Sequence, residues 1–344
     1  MKIGIVGVGY WGANIARVFF ELKNEGYFDG EVVIYDLIQE RAKKVAGEYS
    51  FQLVNKLDFL LSDPHVNVVL IVTPSSTHFS LAKQVLESGK HVFVEKPFTL
   101  SSKDAAELIR LASENKVRLM VGHLFRYHQA LRELKRRIKI GDLGKLLFMV
   151  ANKYGIGVPK EDSGVIFTLA VNDFDNFCYI LDVEYPETIL AHRGIFLQED
   201  YEEYTSISVT FPHNVQGYLS ESWLIPIFGR RRELIVVGSK KTAVIEFLKP
   251  NEIVIHNAHI KKLEKDDRMV FRVEKKEPQK IFFEYKEPLK EEMKALLKMV
   301  KNNEESESSG VIGLRAINMC EIAMESAILG KKINVKEWLD EKNL

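Results

Sequence analysis

The chain has 344 residues, 46% hydrophobic and 28% charged, which suits a soluble globular protein of two ordinary domains. Lys+Arg and Asp+Glu are both 48, so the net charge of zero supplies no global attraction to nucleic acid, an anionic membrane or acidic polymers. The two cysteines, Cys178 and Cys320, make no disulfide framework, no apolar run reaches membrane-spanning length and no leader-like segment opens the chain; a cytoplasmic protein without a metal site is expected.

Ile3 to Val6 reads as a strand that runs into Gly7-Val8-Gly9-Tyr10-Trp11-Gly12 and then a helical pattern, Ala13 to Glu25. This is G-x-G-x-x-G between a strand and a helix. Gly7 allows the tight turn, Gly9 lets a pyrophosphate approach the backbone, and Gly12 lets the helix lie close to the strand. The helix start then offers free N–H groups and the positive end of its dipole to the phosphates. Tyr10 and Trp11 belong to the same cofactor-binding turn. A second strand, Glu31 to Tyr35, ends in Asp36, at about the ~20-residue offset of a ribose-binding acid. Asp36 is expected to accept hydrogen bonds from both adenosine ribose hydroxyls and to repel a 2′-phosphate, so the cofactor is NAD rather than NADP. Arg41, on the following helix, weighs the other way.

A helix follows, then a pattern around Leu57 to Leu61 that ends at Asp63-Pro64, and then a continuous buried strand, Asn67 to Val72. That strand stops at Thr73-Pro74, and a helix follows to Glu87. The strand His91 to Val94 ends in Glu95-Lys96-Pro97. In an open parallel sheet, ligands bind beyond the carboxyl ends of the strands. Thr73, Pro74, Glu95 and Lys96 are therefore expected on the nicotinamide side of the cofactor. Lys96 stands at the lip of the crevice, where a lysine moves a proton or holds a substrate hydroxyl. His78 opens a helix and reads equally as a cofactor contact or as a neutral histidine in a helix-start hydrogen bond. Ser101-Ser102-Lys103-Asp104 caps a helix through Glu114. The strand Val117 to Val121 leads to Gly122-His123-Leu124-Phe125-Arg126-Tyr127-His128, whose His123, Arg126 and Tyr127 are expected to face the same crevice. The alternation of strands and helices ends here, which gives domains at 1–124 and 125–344.

The second half changes rhythm. A basic amphipathic helix, Gln129 to Ile140, reads as solvated on its charged side. A strand, Leu146 to Tyr154, and a helix, Ser163 to Leu181, follow. Strand patterns then cover Ile189 to Leu197, Thr205 to Phe211, Val215 to Trp223, Glu233 to Val237, Thr242 to Phe247 and Glu252 to His256, with edge strands at Met269 to Val273 and Lys280 to Tyr285. Ile207, Val209 and Phe211 alternate with Ser206, Ser208 and Thr210, a half-buried antiparallel pattern. Two helices, Leu289 to Lys301 and Val311 to Leu329, close the chain. The fold class is an α/β Rossmann dinucleotide-binding domain plus an α+β domain with a large, mostly antiparallel open sheet. The exposed sheet face is a natural surface for a homodimer or homotetramer.

Together, the glycine-rich turn, Glu95-Lys96-Pro97 and the broad-sheeted second half resemble the glucose-fructose oxidoreductase, inositol dehydrogenase and rhizopine-catabolism family over essentially the whole chain. Glu-Lys-Pro at that strand end is the most specific mark, and the resemblance implies a cis Lys96–Pro97 peptide. Gly9-Tyr10-Trp11-Gly12, Gly122 to His128 and Glu221-Ser222-Trp223-Leu224 are similar to the branch that acts on UDP-sugars, the UDP-N-acetylglucosamine 3-dehydrogenases and UDP-N-acetylglucosaminuronate dehydrogenases. Arg230-Arg231-Arg232 follows and reads either as a diphosphate contact, because guanidinium pairs phosphate bidentately, or as a solvated loop. The family's second signature has an Asp and a His four residues apart on the helix after Ser163-Gly164. Aligned on Asn172-Asp173-Phe174-Asp175, this chain has Thr168 at the Asp position and Asn172 at the His position. Neither is an ordinary general base near neutral pH.

The resemblance implies an NAD-dependent oxidoreductase taking a hydride from a secondary alcohol of a nucleotide sugar, a UDP-N-acetylhexosamine 3-dehydrogenase above all. Lys96 would take the hydroxyl proton, with Asn172 and Thr168 as its catalytic partners, and Arg126, Tyr127, Asp175, Arg230 and Arg231 would hold substrate. Two alternatives stand: an NAD-binding scaffold or sensor without turnover, and a different chemistry in which NAD is tightly held and recycled.

Overall fold

Short valine- and isoleucine-rich runs build a six-stranded sheet from β1 (Lys2–Val6), β2 (Glu31–Tyr35), β3 (Gln52–Leu53), β4 (Val66–Ile71), β5 (His91–Val94) and β6 (Leu119–Val121). The computed structural model describes residues 1–226, 229–265 and 268–342. The strands are all parallel, in the order β3-β2-β1-β4-β5-β6. Parallel sheets are covered on both faces, which is why β1, β4 and β5 are nearly continuous apolar runs. The helix Tyr10–Asn24 turns Ile15, Phe19 and Leu22 into the core, an i, i+4, i+7 stripe. A late helix, Pro288–Asn302, adds Leu289, Met293 and Leu296 to that same core.

The contacts define two compact units, 1–127 with 287–318, and 128–286 with 319–344. The sequence draws one cut near Leu124; periodicity locates elements but not the partners against which they pack. Asn343 and Leu344, the end of the expected second domain, lie outside the described residues.

The second unit holds β7 (Leu146–Tyr154), β8 (Thr188–Gly194), β9 (Tyr204–Phe211), β10 (Val215–Ser222), β11 (Arg231–Gly238), β12 (Thr242–Glu246), β13 (Glu252–His256), β14 (Ala258–Lys265), β15 (Arg268–Lys275), β16 (Gln279–Phe282) and β17 (Ile333–Asn334). Nine of them form one sheet in the order β16-β13-β12-β11-β7-β10-β9-β8-β17. Neighbours are antiparallel except β7 and β10. The helix Val171–Leu181 lies against this sheet; its Phe177 ring meets Phe211 edge-on at 6.3 Å. A π-helical turn, Ile166–Ala170, leads into that helix where the sequence suggests one continuous α-helix.

Two further features differ from the sequence expectations. Met269 to Val273 does not extend the large sheet; it lies in β15, which pairs with β14 as a separate ribbon. The lysine-rich β14 carries no half-buried alternation to betray it. The chain also ends in a helix, Val335–Lys342, anchored by Trp338, whose Nε1 donates to Glu325 at 2.8 Å. Among the described residues no helix is long and apolar enough to cross a membrane.

Candidate active site

The ladder of the first sheet continues past its carboxyl ends. Gly7 N bonds Tyr35 O at 2.9 Å, Val72 N bonds Val6 O at 2.8 Å, Glu95 N bonds Ile71 O at 3.0 Å, and Gly122 N bonds Val94 O at 2.8 Å. The glycine turn, Thr73, Lys96 and Gly122 are thus brought to one sheet edge. Gly7 has φ +89°, and a Cβ on it would lie 2.7 Å from Val72 O. A Cβ on Gly12 would lie 2.0 Å from Gly7 O, so only glycine lets the helix start this close. Gly9 faces open space, with nothing within 4 Å of a Cβ. The helix Tyr10–Asn24 has no side-chain cap, and its first-turn N–H groups are those that a helix cannot satisfy internally. A diphosphate fits this cradle: open backbone, unpaired N–H groups and a positive dipole end.

Asp36 lies beside the cradle and is buried. Its Oδ2 accepts from Val8 N and its Oδ1 from Ile38 N, each at 2.8 Å. The carboxylate thereby fixes the glycine turn, and an ionised carboxylate has lone pairs left for ribose hydroxyls. Tyr10 is exposed, whereas Trp11 reaches back and donates its Nε1 to Glu95 Oε1.

Glu95 Oε2 accepts the backbone N–H of Lys96 at 3.0 Å. The Lys96–Pro97 peptide is cis, and the Lys96 side chain is half-buried. His78 is only 1% exposed, with Nδ1 2.8 Å from Pro97 O and Nε2 3.0 Å from Thr73 O. It braces the two loops that carry Thr73 and Pro97. Pro74 is exposed beside it. Arg126 and Tyr127 are both buried. Arg126 Nη1 donates to Glu307 O at 2.8 Å, and the Tyr127 hydroxyl lies 3.1 Å from Ser308 Oγ. Burial pushes the Tyr127 phenol above its ordinary range.

Glu292 was not legible as a site residue. It is fully buried, and neither carboxyl oxygen has a hydrogen-bond partner among the described residues. Burial first, and the charge of Glu95 second, push its carboxyl well above the usual range. The available signal is its place between Leu289 and Leu296 on the apolar stripe of its helix.

In the second unit, Thr168 and Asn172 are buried, as is Asp175. Thr168 Oγ1 donates to Gly164 O at 2.8 Å, within the turn that becomes π-helical. Beneath the same helix, the otherwise apolar sheet face carries charge. Lys153 of β7 and Asp173 are each 1% exposed and pair at 2.9 Å. Glu221 of β10 and Arg232 of β11 flank Lys153 in the strand register. Burial, and then the negative charge of Asp173, push the fully buried Glu221 carboxyl well above its usual range. The signal for this cluster is a charge on an apolar period-2 face: Lys153 follows Met149 and Ala151, and Glu221 follows Leu219. Arg230 and Arg232 line one pocket with Lys153 and Trp223, whereas Arg231 binds the Glu233 carboxylate at 2.9 and 3.1 Å.

Comparison with known proteins is consistent with this geometry. Residues 1–123 match the profile described as an oxidoreductase family with an NAD-binding Rossmann fold. The UDP-N-acetylglucosamine 3-dehydrogenase of Acidithiobacillus ferrooxidans is 33% identical over 258 residues, 74% of this chain and 77% of that protein. The NAD-dependent scyllo-inositol 2-dehydrogenase of Bacillus subtilis is 28% identical over 238 residues, 66% of this chain and 69% of that protein. Among solved structures, levoglucosan dehydrogenase in complex with NADH and levoglucosan superposes with a TM-score of 0.82 at 18% identity, covering 97% of this chain and 99% of that one.

Proposed function

The chain belongs to the glucose-fructose oxidoreductase, inositol dehydrogenase and rhizopine-catabolism family of NAD-dependent oxidoreductases acting on CH–OH groups, and from that premise we propose that its substrate is a UDP-N-acetylhexosamine, oxidised at a secondary alcohol of the sugar ring. The observation that carries this reading is Lys96: it stands at the carboxyl end of β5, on the same sheet edge as the open glycine cradle. The 33% identity to a UDP-N-acetylglucosamine 3-dehydrogenase supports the nucleotide-sugar branch over the polyols.

In this reading Gly7, Gly9, Gly12 and the first helical N–H groups hold the cofactor diphosphate, and Asp36 holds the adenosine ribose. Thr73 and Pro74 border the nicotinamide side. When bound, the nicotinamide accepts the hydride. Lys96 Nζ takes the hydroxyl proton as the C–H bond breaks, acting as general base. The family resemblance puts Asn172 at a histidine position; an amide can donate to an oxygen but takes no proton. Lys96 therefore carries the proton transfer.

The test is incubation of the protein with NAD and a panel of UDP-N-acetylglucosamine, UDP-N-acetylgalactosamine, myo-inositol, scyllo-inositol and glucose, followed by reduced-nicotinamide absorbance. Turnover on the UDP-sugars above the free polyols is expected. Faster turnover on an inositol would transfer the assignment to the polyol branch.

A further inference from the structure

Arginine residues at the start of β11 separate by strand alternation. Arg231 and Arg232 open β11 and, as neighbours in a strand, point to opposite faces; Arg230 immediately precedes the strand. Arg231 is half-exposed and neutralised by Glu233. Arg230 and Arg232 line a pocket of 210 Å³ with Trp223, Ser222 and the backbone from Gly155 to Val158. Gly155 makes room for them: a Cβ there would lie 3.2 Å from Arg230 Cγ.

Neither guanidinium in this pocket has a carboxylate partner among the described residues. The nearby acids are used elsewhere. Asp173 is held by Lys153. Glu221 lies two strands away from Arg232, about 10 Å by strand spacing, with Lys153 between them. Glu246 accepts the backbone N–H groups of Arg232 and Leu248. Burial, and then the neighbouring Arg230 charge, disfavour the Arg232 cation. An arginine does not escape this by losing its proton. Two guanidiniums, one of them largely withdrawn from water, therefore share a cavity beside Lys153 in which, among the described residues, neither is hydrogen-bonded to a carboxylate.

We propose that this pocket binds a phosphate-type oxyanion, with Arg230 and Arg232 as its guanidinium contacts and Trp223 as its wall. The inference rests on the nucleotide-sugar reading and assigns the subsite of its diphosphate. Two forked guanidiniums match two phosphoryl groups bidentately, whereas a single carboxylate would satisfy one. The volume is below the ~300 Å³ typical of a whole small-molecule site, as fits a subsite for one charged part of a larger ligand.

The experiment is calorimetric titration of the full-length protein with inorganic pyrophosphate, and separately with UDP. Wild type is expected to bind both, more weakly as salt rises. Arg230→Gln and Arg232→Gln should each weaken binding at least about tenfold, the equivalent of one charge-assisted hydrogen bond. Arg232→Lys should fall between them and wild type, and Arg231→Gln should bind like wild type. Melting temperature checks each variant's fold; if Arg232→Gln does not fold, the exposed Arg230→Gln carries the test. No pyrophosphate binding by wild type, or binding by both Gln variants as tight as by wild type, overturns the proposal. Arginine-dependent pyrophosphate binding without oxidation of any UDP-sugar leaves the pocket standing and removes the nucleotide-sugar reading. Oxidation of UDP-sugars with KM unchanged in Arg230→Gln and Arg232→Gln does the reverse.

Discussion

Trp11 and Glu95 lie 84 residues apart in the chain, and the indole Nε1 of one donates to the carboxylate of the other. The bond ties the first turn of the nucleotide-binding helix to the residue before Lys96. On the proposed reading, this bond links the cofactor cradle to the segment that carries the base. Trp11→Phe keeps the ring and removes the donor. We expect weaker NAD binding, a several-fold loss of kcat and a lower melting temperature, since a hydrogen bond to a charged group contributes roughly 1.5–3 kcal/mol. Unchanged kcat and NAD affinity in Trp11→Phe would show that the link carries no function.

Asp36 is expected to set NAD over NADP and to hold the glycine turn. Asp36→Ala strands the Val8 N–H and removes the ribose acceptor. NAD affinity and the preference for NAD should fall together, and melting temperature should fall too, because a buried unsatisfied N–H costs about 1–3 kcal/mol. Fluorescence titration with both cofactors reads the first effect; tighter binding of NADP by wild type would contradict the role.

The glycine turn, Asp36 and Lys96 were legible because short-range spacing alone fixes where such residues fall on a strand–turn–helix. Arg232 was not. The sequence starts a strand at Glu233, whereas β11 begins at Arg231, so the alternation extends back over Arg231 and Arg232. The exchange of Arg231 for Arg232 as a pocket residue follows from that extension. Glu292, Lys153 and Glu221 were missed for another reason. Their burial depends on elements far away in sequence, and a charged letter in a local pattern gives no sign of what covers it. Arg126 and Tyr127, expected to meet substrate, carry a second role that local pattern gives no sign of: they tie down the segment from Ser306 to Ser308.

Lys153 and Asp173 form an ion pair with both side chains 1% exposed. Removing one partner leaves a buried charge. Lys153→Met and Asp173→Leu should each cost about 3–5 kcal/mol, while the double variant should cost less than the sum of the two. Denaturant midpoints of the four proteins measure this; additive losses would show that the pair is not coupled.

His128 sets a pH dependence. It is buried against Phe247, with neither ring nitrogen bonded among the described residues, and burial lowers its imidazole from 6.5 to about 4. The folded chain keeps it neutral, whereas the unfolded chain takes up a proton near the ordinary value. The stability it contributes is full above pH 6.5 and is lost as pH falls through about 4, by roughly 3 kcal/mol. His128→Phe should remove this part of the acid sensitivity. Identical loss of denaturant midpoint between about pH 7 and about pH 4.5 in both proteins would contradict it.

The central claim is that Lys96 is the base in NAD-dependent oxidation of a UDP-N-acetylhexosamine. The most direct measurement is reduced-nicotinamide formation by wild type and Lys96→Met on UDP-N-acetylglucosamine, with NAD affinity measured in parallel. Methionine keeps the length and loses the ammonium. The account predicts turnover by wild type, a fall of about 10²–10⁴-fold in kcat for the variant, and nearly unchanged NAD binding. Turnover by Lys96→Met equal to wild type, with NAD bound by both, would contradict it.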